Sequence, residues 1–393
     1  MNLKVSKRGI WFVIYAAVML VPTYFESSFT NLLDNAFFLW AMLIVLRNRI
    51  IPNRFICAFS LYYIYLTVIT FISGTDMADI HWIISVAKMV VFLCVLDFQI
   101  NFSARIAING LLFVVGVYIL LDFISIVLYP DGLYQSVTVW NEWTATSAAQ
   151  WILGNKNNRC YWYFIAIILS VWKLALEKKR GNRVIIYAIC SISLLAMIGT
   201  KSSTSMIATI VAIIAAWYGM RNTSKNLVRI NAWGVILAYC SVQILIFMGS
   251  LPFISSIVVK LFGKDLTFSG RTKIWIQMPV LIAQKPIWGW GQLSGSTVGS
   301  ILGNKFFTSA HNQWLNTLFQ GGVILFLLVV LIIIWLANST RKFEKNIGNM
   351  KLLMLLSIMI DMMFESILSV FATWIFLYII YKYPETTKEN EGY

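Results

Sequence analysis

The feature that most constrains this chain is the spacing of its apolar residues. They fall in blocks of roughly 15–25 along nearly the whole length, and a helix of about 20 residues is what crosses the hydrocarbon core of a bilayer. Of 393 residues, 59% are hydrophobic and 12% charged, where soluble domains run near 45–50% apolar and about 25% charged, so a water-soluble fold is excluded. The blocks lie at about residues 10–21, 32–46, 55–73, 81–99, 106–129, 158–176, 184–199, 203–220, 230–250, 313–337, 350–366 and 367–381. They predict an all-α, polytopic membrane bundle of about twelve spans, a single membrane domain over residues 1–393. Lys4, Lys7 and Arg8 before the first block look like the start of a signal peptide, but Pro22-Thr23-Tyr24-Phe25 stands where a small-x-small cleavage site would be. The block is therefore read as the first span.

Charge sets the orientation. Lys and Arg number 31 against 16 Asp and Glu, a formal charge of +15, which in a soluble chain would suggest nucleic acid. In a membrane chain the positions of the cations come first, because cytoplasmic loops gather Lys and Arg. With the N-terminus inside and the spans alternating, twenty-one basic residues fall in inner segments, nine in outer ones, and Lys88 lies within the fourth block. Both termini are thus predicted to be cytoplasmic. Six of the nine outer cations lie in residues 251–311, with Trp275, Trp288, Trp290, seven glycines and an amphipathic stretch, Ile274, Met278, Leu281 and Ile282, at helical spacing. A structured, basic, aromatic outer loop is the expected home of function. A shorter outer loop, 130–157, carries Trp140, Glu142, Trp143 and Trp151 and runs into Gly154-Asn155-Lys156-Asn157-Asn158-Arg159. No internal repeat is visible, which speaks against a transporter built from duplicated halves.

Three short stretches carry candidate chemistry. In Phe268-Ser269-Gly270-Arg271-Thr272-Lys273-Ile274-Trp275 a Gly precedes an Arg that starts a helix, bringing backbone N–H groups and a guanidinium to one helix end, a layout suited to phosphate oxygens. The alternative is an interfacial Arg meeting lipid headgroups. In Thr308-Ser309-Ala310-His311-Asn312-Gln313-Trp314-Leu315, Ser309 is expected to cap a helix beginning near Ala310, with His311 in its first turn. A neutral imidazole there can take a proton from a sugar hydroxyl; the alternative is an interfacial His bonded to water. Gly199-Thr200-Lys201-Ser202-Ser203-Thr204-Ser205 is either a tight turn that lets helices approach or a place from which Lys201 reaches an anionic headgroup.

Other ionisable groups, Lys88, Asp97, Asp122, Asp361 and Glu365, lie in or near spans, where a charge is expensive and needs a partner or a function. The outer carboxylates Asp76, Asp79, Glu142 and Asp265 show no metal-binding spacing. The five cysteines show no C-x-x-C pair and are read as packing residues. His81 beside Trp82 reads as an interface anchor, and no G-x-G-x-x-G or P-loop is present.

The order of these motifs resembles the O-antigen ligase and O-antigen polymerase (Wzy-type) family of bacterial membrane glycosyltransferases. The matching pieces are Gly154-Asn155-Lys156-Asn157, the turn at 199–205, Ser269 to Trp275 followed by Lys285-Pro286-Ile287-Trp288-Gly289-Trp290-Gly291, and Ala310 to Leu315 followed by Gly321-Gly322. They cover roughly residues 150–335. The resemblance implies a GT-C-like membrane enzyme, working without metal or other cofactor at the outer face of the plasma membrane on glycans carried by undecaprenyl diphosphate. It implies that Arg271 holds the diphosphate and His311 orients or deprotonates the acceptor hydroxyl, with Lys156, Asn157, Arg159, Lys201, Lys273, Trp275 and Asn312 around the substrate. The turn usually reads Thr-x-Ser-Arg in this family, whereas here Ser203 stands at the Arg position and Lys201 is the nearest cation.

The leading expectation is a polymerase joining lipid-linked repeats into capsule, exopolysaccharide or O-antigen. Its rival is a ligase moving a finished glycan to another acceptor; a transporter or flippase would place its unusual residues deep in several spans. The implied partners are lipid-linked donor and acceptor, membrane lipid, a chain-length regulator and a flippase, and no nucleic acid.

Overall fold

The computed structural model describes residues 7–141, 144–157, 159–221, 226–249, 271–304 and 307–384. Each predicted apolar block carries a helix: α1 (Lys7–Met19), α2 (Ser28–Arg47), α3 (Arg54–Ile72), α4 (Ile80–Phe102), α5 (Ala104–Leu128), α6 (Cys160–Glu177), α7 (Arg180–Gly199), α8 (Ser203–Gly219) and α9 (Ala232–Gly249). Then come two helices of the long loop, α10 (Arg271–Gln284) and α11 (Gly295–Ile301), and finally α12 (Gln313–Ser339), α13 (Lys345–Met362) and α14 (Phe371–Lys382). Among the described residues, seven helices are long and apolar enough to cross a membrane and four shorter ones are apolar. Length and composition make the chain polytopic without fixing the span count at twelve. Side-chain caps set several starts: Asn53 accepts from the Phe55 and Ile56 N–H groups, Asp79 from Trp82 and Ser103 from Ile106.

Burial is distributed as a bilayer solvent requires. Almost every side chain of α6 from Cys160 to Leu174 is buried, so this helix, apolar on all sides, forms the axis of the bundle. The peripheral α2 buries only Phe38 and Ala41, leaving Leu32, Leu39, Leu43 and Leu46 exposed. Such a helix is stable only where lipid covers it. On α8, Ala208, Ala212, Ala215 and Ala216 are buried, and a Cβ on Gly219 would stand 2.5 Å from Val171 and 2.7 Å from Met350 of α13. Small residues thus bring these backbones close.

Charges within the bundle find partners. Lys88 of α4 meets Asp34 of α2, Asp97 of α4 accepts from Lys382 and Tyr378 of α14 at 2.7 Å each, and the Lys351 ammonium donates to the Tyr383 carbonyl at 3.1 Å.

The segment 130–157 departs from an all-α reading. It folds as an antiparallel hairpin, β1 (Tyr134–Asn141) with β2 (Thr144–Trp151), extended by a two-residue β3 (Gly154–Asn155). The pairing runs from Tyr134 opposite Gln150 to Asn141 opposite Thr144, with an irregularity after Val139. The Val and Thr residues of β1 and the Thr residues of β2 suit a strand. Arg159 secures the hairpin's base. Fully buried, it pairs with Asp122 of α5 at 3.1 Å, donates to the Gly154 and Asn155 carbonyls, and stacks over Trp151 at 4.6 Å. Asp122 also accepts from the Leu153 N–H and the Tyr163 hydroxyl.

The described part of the long loop, from Arg271 to His311, has a core of its own, in which Ile274, Trp275 and Met278 of α10 pack with Leu293, Val298, Leu302, Ala310 and Phe319. Phe268, Ser269, Gly270, Asp265 and Lys305 lie outside the described residues, as does Glu142 in the hairpin. Asp76, between α3 and α4, accepts from Ser294 and Thr297 at the start of α11; those hydroxyl bonds, Ser294 first, hold its carboxyl below the usual range.

Helix α12 is broken at Gly322, whose φ of 61° and ψ of −163° are not helical. In an unbroken helix the Val323 and Ile324 N–H groups would donate to the Phe319 and Gln320 carbonyls. Instead they donate to Pro286 and Ile287, at 2.9 and 3.5 Å, and the freed carbonyls accept from Trp290 and Gly291, at 2.9 and 2.8 Å. The Pro286-to-Gly291 segment thus replaces the missing helical bonds one for one, which a bilayer demands of interrupted backbone. Only glycine fits the crossing: a Cβ on Gly322 would lie 2.2 Å from the Ile287 carbonyl oxygen, and one on Gly289, at φ 77°, would lie 2.5 Å from the Gln320 backbone.

Two stability outcomes follow. Gly322→Ala should lower the melting temperature in detergent, since left-handed strain alone costs about 1–3 kcal/mol and the Cβ has nowhere to go, while Gly181→Ala, with nothing within 4 Å, should not. Arg159→Ala should destabilise by about 3–5 kcal/mol by leaving Asp122 buried without its cation. The pair Arg159→Gln with Asp122→Asn should recover part of that loss, and a pair no better than the single change would show that the ion pair does not hold the hairpin.

Candidate active site

The connections between α5 and α6, α7 and α8, α9 and α12, and α13 and α14 meet at one end of the bundle, and the group on which they converge is Glu365, just beyond α13. Its side chain is buried at 7% exposure. The Arg271 guanidinium, at the first residue of α10, pairs with Glu365 Oε1. Asn157 Nδ2 donates to the same oxygen at 2.6 Å, and His311 Nδ1 faces Oε2 at 3.3 Å. Burial by itself would push the Glu365 carboxyl upward. The Arg271 charge, followed by His311 and the Asn157 hydrogen bond, more than offsets it, and the carboxyl is held below its ordinary value as an anion.

A second chain of polar groups fixes Asn157 from below. Its Oδ1 and the Ser205 hydroxyl share the single proton of the Ser202 hydroxyl, at 3.1 and 2.9 Å, and Ser205 donates to Asp361 at 3.3 Å. Asp361 also accepts from the Cys160 thiol at 3.1 Å. The turn at 199–205 is therefore tied to the carboxylate hub through Ser202. The close approach of α8 to α13 brings Ser205 within reach of Asp361.

Lys156 lies beside Asn157, half-buried. Burial, then the Arg271 charge, depresses its ammonium below the usual lysine range, with Glu365 opposing. Lys273, two residues along α10 from Arg271, is exposed, as is Lys201, which takes a left-handed φ of 54° in the turn before α8. Ser203 is the exposed first residue of α8.

His311 does not sit in a helix. Asn312 is the N-cap of α12, its Oδ1 accepting from the Trp314 and Leu315 N–H groups, while Ser309 accepts the His311 N–H at 3.2 Å. The expected start near Ala310 is thus corrected to Gln313, because His311 has a φ of 44° and a right-handed helix cannot include it. The imidazole side chain is 32% exposed. With Nδ1 turned to Glu365, Nε2 is the nitrogen left to meet a substrate.

Three residues expected around the substrate turn inward instead. Arg159 is spent on Asp122 and the hairpin. Trp275, 3% exposed, donates its indole N–H to the Ala310 carbonyl at 3.0 Å and so positions the residue before His311. Asn312, besides capping α12, donates to the Met363 carbonyl at 2.7 Å and ties the His311 loop to the Glu365 loop. Each carries buried polar atoms that had to be satisfied within the protein. Glu365 was visible in the sequence as an ionisable group at the end of a span, and Arg271, His311 and Asn157 as candidate site residues, but not that the three meet on that carboxylate. Among the described residues no group of three or more His, Cys, Asp or Glu side chains is arranged to hold a metal ion.

The arrangement suits anion binding next to proton transfer: a guanidinium and a lysine at one rim, an imidazole oriented by a carboxylate beside them. Residues 188–330 match the family model described as O-antigen ligase, and no curated protein matches the chain. The matched stretch includes Lys201, Arg271, Lys273, Trp275, His311, Asn312 and the Gly322 break, and leaves Lys156, Asn157, Arg159 and Glu365 outside. The stretch that carries Arg271 and His311 is thus similar to the O-antigen ligase family over residues 188–330.

Proposed function

We propose that this protein is a polysaccharide polymerase that joins undecaprenyl-diphosphate-linked oligosaccharide repeats at the outer face of the bacterial plasma membrane, with both termini in the cytoplasm. The observation that carries the reading is the convergence of Arg271 and His311, from two separate motifs, on the single buried carboxylate of Glu365. The uneven division of Lys and Arg between the two sides supports the orientation.

In this reading the donor's lipid tail stays in the bilayer and its diphosphate lies against Arg271, with Lys156, Lys273 and Lys201 as the neighbouring cations. The acceptor hydroxyl meets His311 Nε2. The hydroxyl oxygen bonds to the donor's anomeric carbon, the bond from that carbon to the diphosphate breaks with its electron pair, and the hydroxyl proton passes to the imidazole. Undecaprenyl diphosphate leaves. The protein has to stabilise charge on the leaving group and accept one proton, and the cations assigned to the first task are side chains.

The family model's description favours a second reading, a ligase that transfers a finished glycan to another acceptor. Product size separates the two. Purified protein given one lipid-linked repeat should make a ladder if it polymerises, and only with a second acceptor present should a ligase form product.

Arg271→Ala should abolish product, and Arg271→Lys should restore little of it, because lysine keeps the charge without the planar bidentate fork. His311→Gln should keep donor binding while lowering turnover by about 10²–10⁴-fold. Near-normal turnover by His311→Gln would remove the imidazole from proton transfer.

Lys156 supplies a pH test. A lysine whose folded value is depressed is charged below that value and neutral above it, so polyprenyl diphosphate binding should weaken at alkaline pH earlier than an ordinary lysine would allow. Lys156→Arg should hold its affinity to higher pH. Superimposable binding profiles for the two proteins between pH 7 and 10 would take Lys156 out of the diphosphate site.

A further inference from the structure

We infer that Glu365 is the positioning residue of His311 and that it is exchanged between two partners: Arg271 holds its carboxylate until the donor's diphosphate takes Arg271 away, and the carboxylate then serves the imidazole. The inference rests on the assignment of Arg271 to the diphosphate and His311 to the acceptor proton.

The geometry is that of a shared group. Oε1 receives both the guanidinium and the Asn157 amide, whereas His311 Nδ1 stands 3.3 Å from Oε2, longer than a well-formed N–H···O bond. Asn157 is itself held by Ser202, which keeps the carboxylate in place whichever cation it serves. A diphosphate offers the guanidinium paired anionic oxygens that its planar fork can hold bidentately.

Once Arg271 turns to the diphosphate, a buried carboxylate is left without its cation, which is strongly unfavourable. Among the described residues, the other charged or titratable groups coupled to Glu365 are His311, its direct partner, Lys156, and the acidic groups Asp361, Cys160 and Tyr161, of which only His311 and Lys156 can bring it a positive charge. His311 relieves the carboxylate by keeping its proton on Nδ1 and by becoming an imidazolium. That is the change required when Nε2 receives the acceptor's proton, as a carboxylate behind a histidine does in hydrolytic triads. At the same time the diphosphate neutralises the Arg271 charge that would oppose an imidazolium beside it. The acceptor hydroxyl is thereby activated only next to a bound donor.

The test uses the full-length protein in nanodiscs, with farnesyl diphosphate as binding probe and lipid-linked repeat for turnover. Glu365→Gln should bind the probe about threefold or more tighter, because Arg271 no longer has to leave a carboxylate, while turnover falls about 10²–10³-fold. A merely structural Glu365 would make both worse together. Glu365→Asp keeps the charge and should retain at least about a tenth of wild-type turnover; an Asp variant as inactive as the Gln variant would refute the positioning role, even if the Gln variant folds poorly. Wild-type binding lost in Arg271→Ala supports the underlying site assignment, and equal binding by the two overturns that assignment and this inference with it. Probe binding that needs Arg271 but weakens in Glu365→Gln overturns the exchange alone.

Discussion

Inside a bilayer no water is available to satisfy a backbone amide or a charge, so each must find a partner within the protein. The break in α12 shows what that demands. Four backbone groups released at Gly322 are taken up by Pro286, Ile287, Trp290 and Gly291, and the helix can stop, turn and resume without leaving an orphan. This crossing anchors the loop that begins with Arg271 against the span that begins just after His311. The Tyr65 hydroxyl of α3 adds a bond to the Gly321 carbonyl at 2.9 Å, so the crossing is also fastened to the bundle.

The same constraint organises the charges. Asp122 with Arg159, Asp97 with Lys382, and Lys88 with Asp34 are paired and hold elements together. Glu365 differs in that its partners come from three other segments and one of them, the imidazole, keeps an exposed edge. A buried anion surrounded by groups that can change partners is suited to chemistry in a way that a closed ion pair is not. Trp275 and Asn312 belong to the framework: one holds the carbonyl before His311, the other joins its loop to the Glu365 loop.

Much of the architecture was legible in the sequence because it depends on local pattern. Apolar blocks of spanning length predicted the helices, the 3.6-residue spacing of Ile274, Met278, Leu281 and Ile282 predicted α10, and the motif order predicted a family whose model covers residues 188–330. The hairpin in 134–151 escaped a reading tuned to spans. So did the start of α12, where two capping residues, Ser309 and Asn312, compete within four positions and a left-handed His311 decides between them.

What the sequence by itself determined is therefore the solvent this protein needs, the positions of its helices, and the polar stretches that could carry chemistry, since period, length and charge are properties of neighbouring residues. Only the tertiary structure decided which of those stretches meet. Glu365 lies 54 residues from His311, 94 from Arg271 and 208 from Asn157 along the chain, and no periodicity relates them. Their meeting depends on how closely α8 packs on α13 and on where α12 breaks. For the same reason the sequence could not tell the inward-turned Arg159, Trp275 and Asn312 from the outward Lys201 and Lys273: the difference is made by which buried acceptors the fold brings within reach.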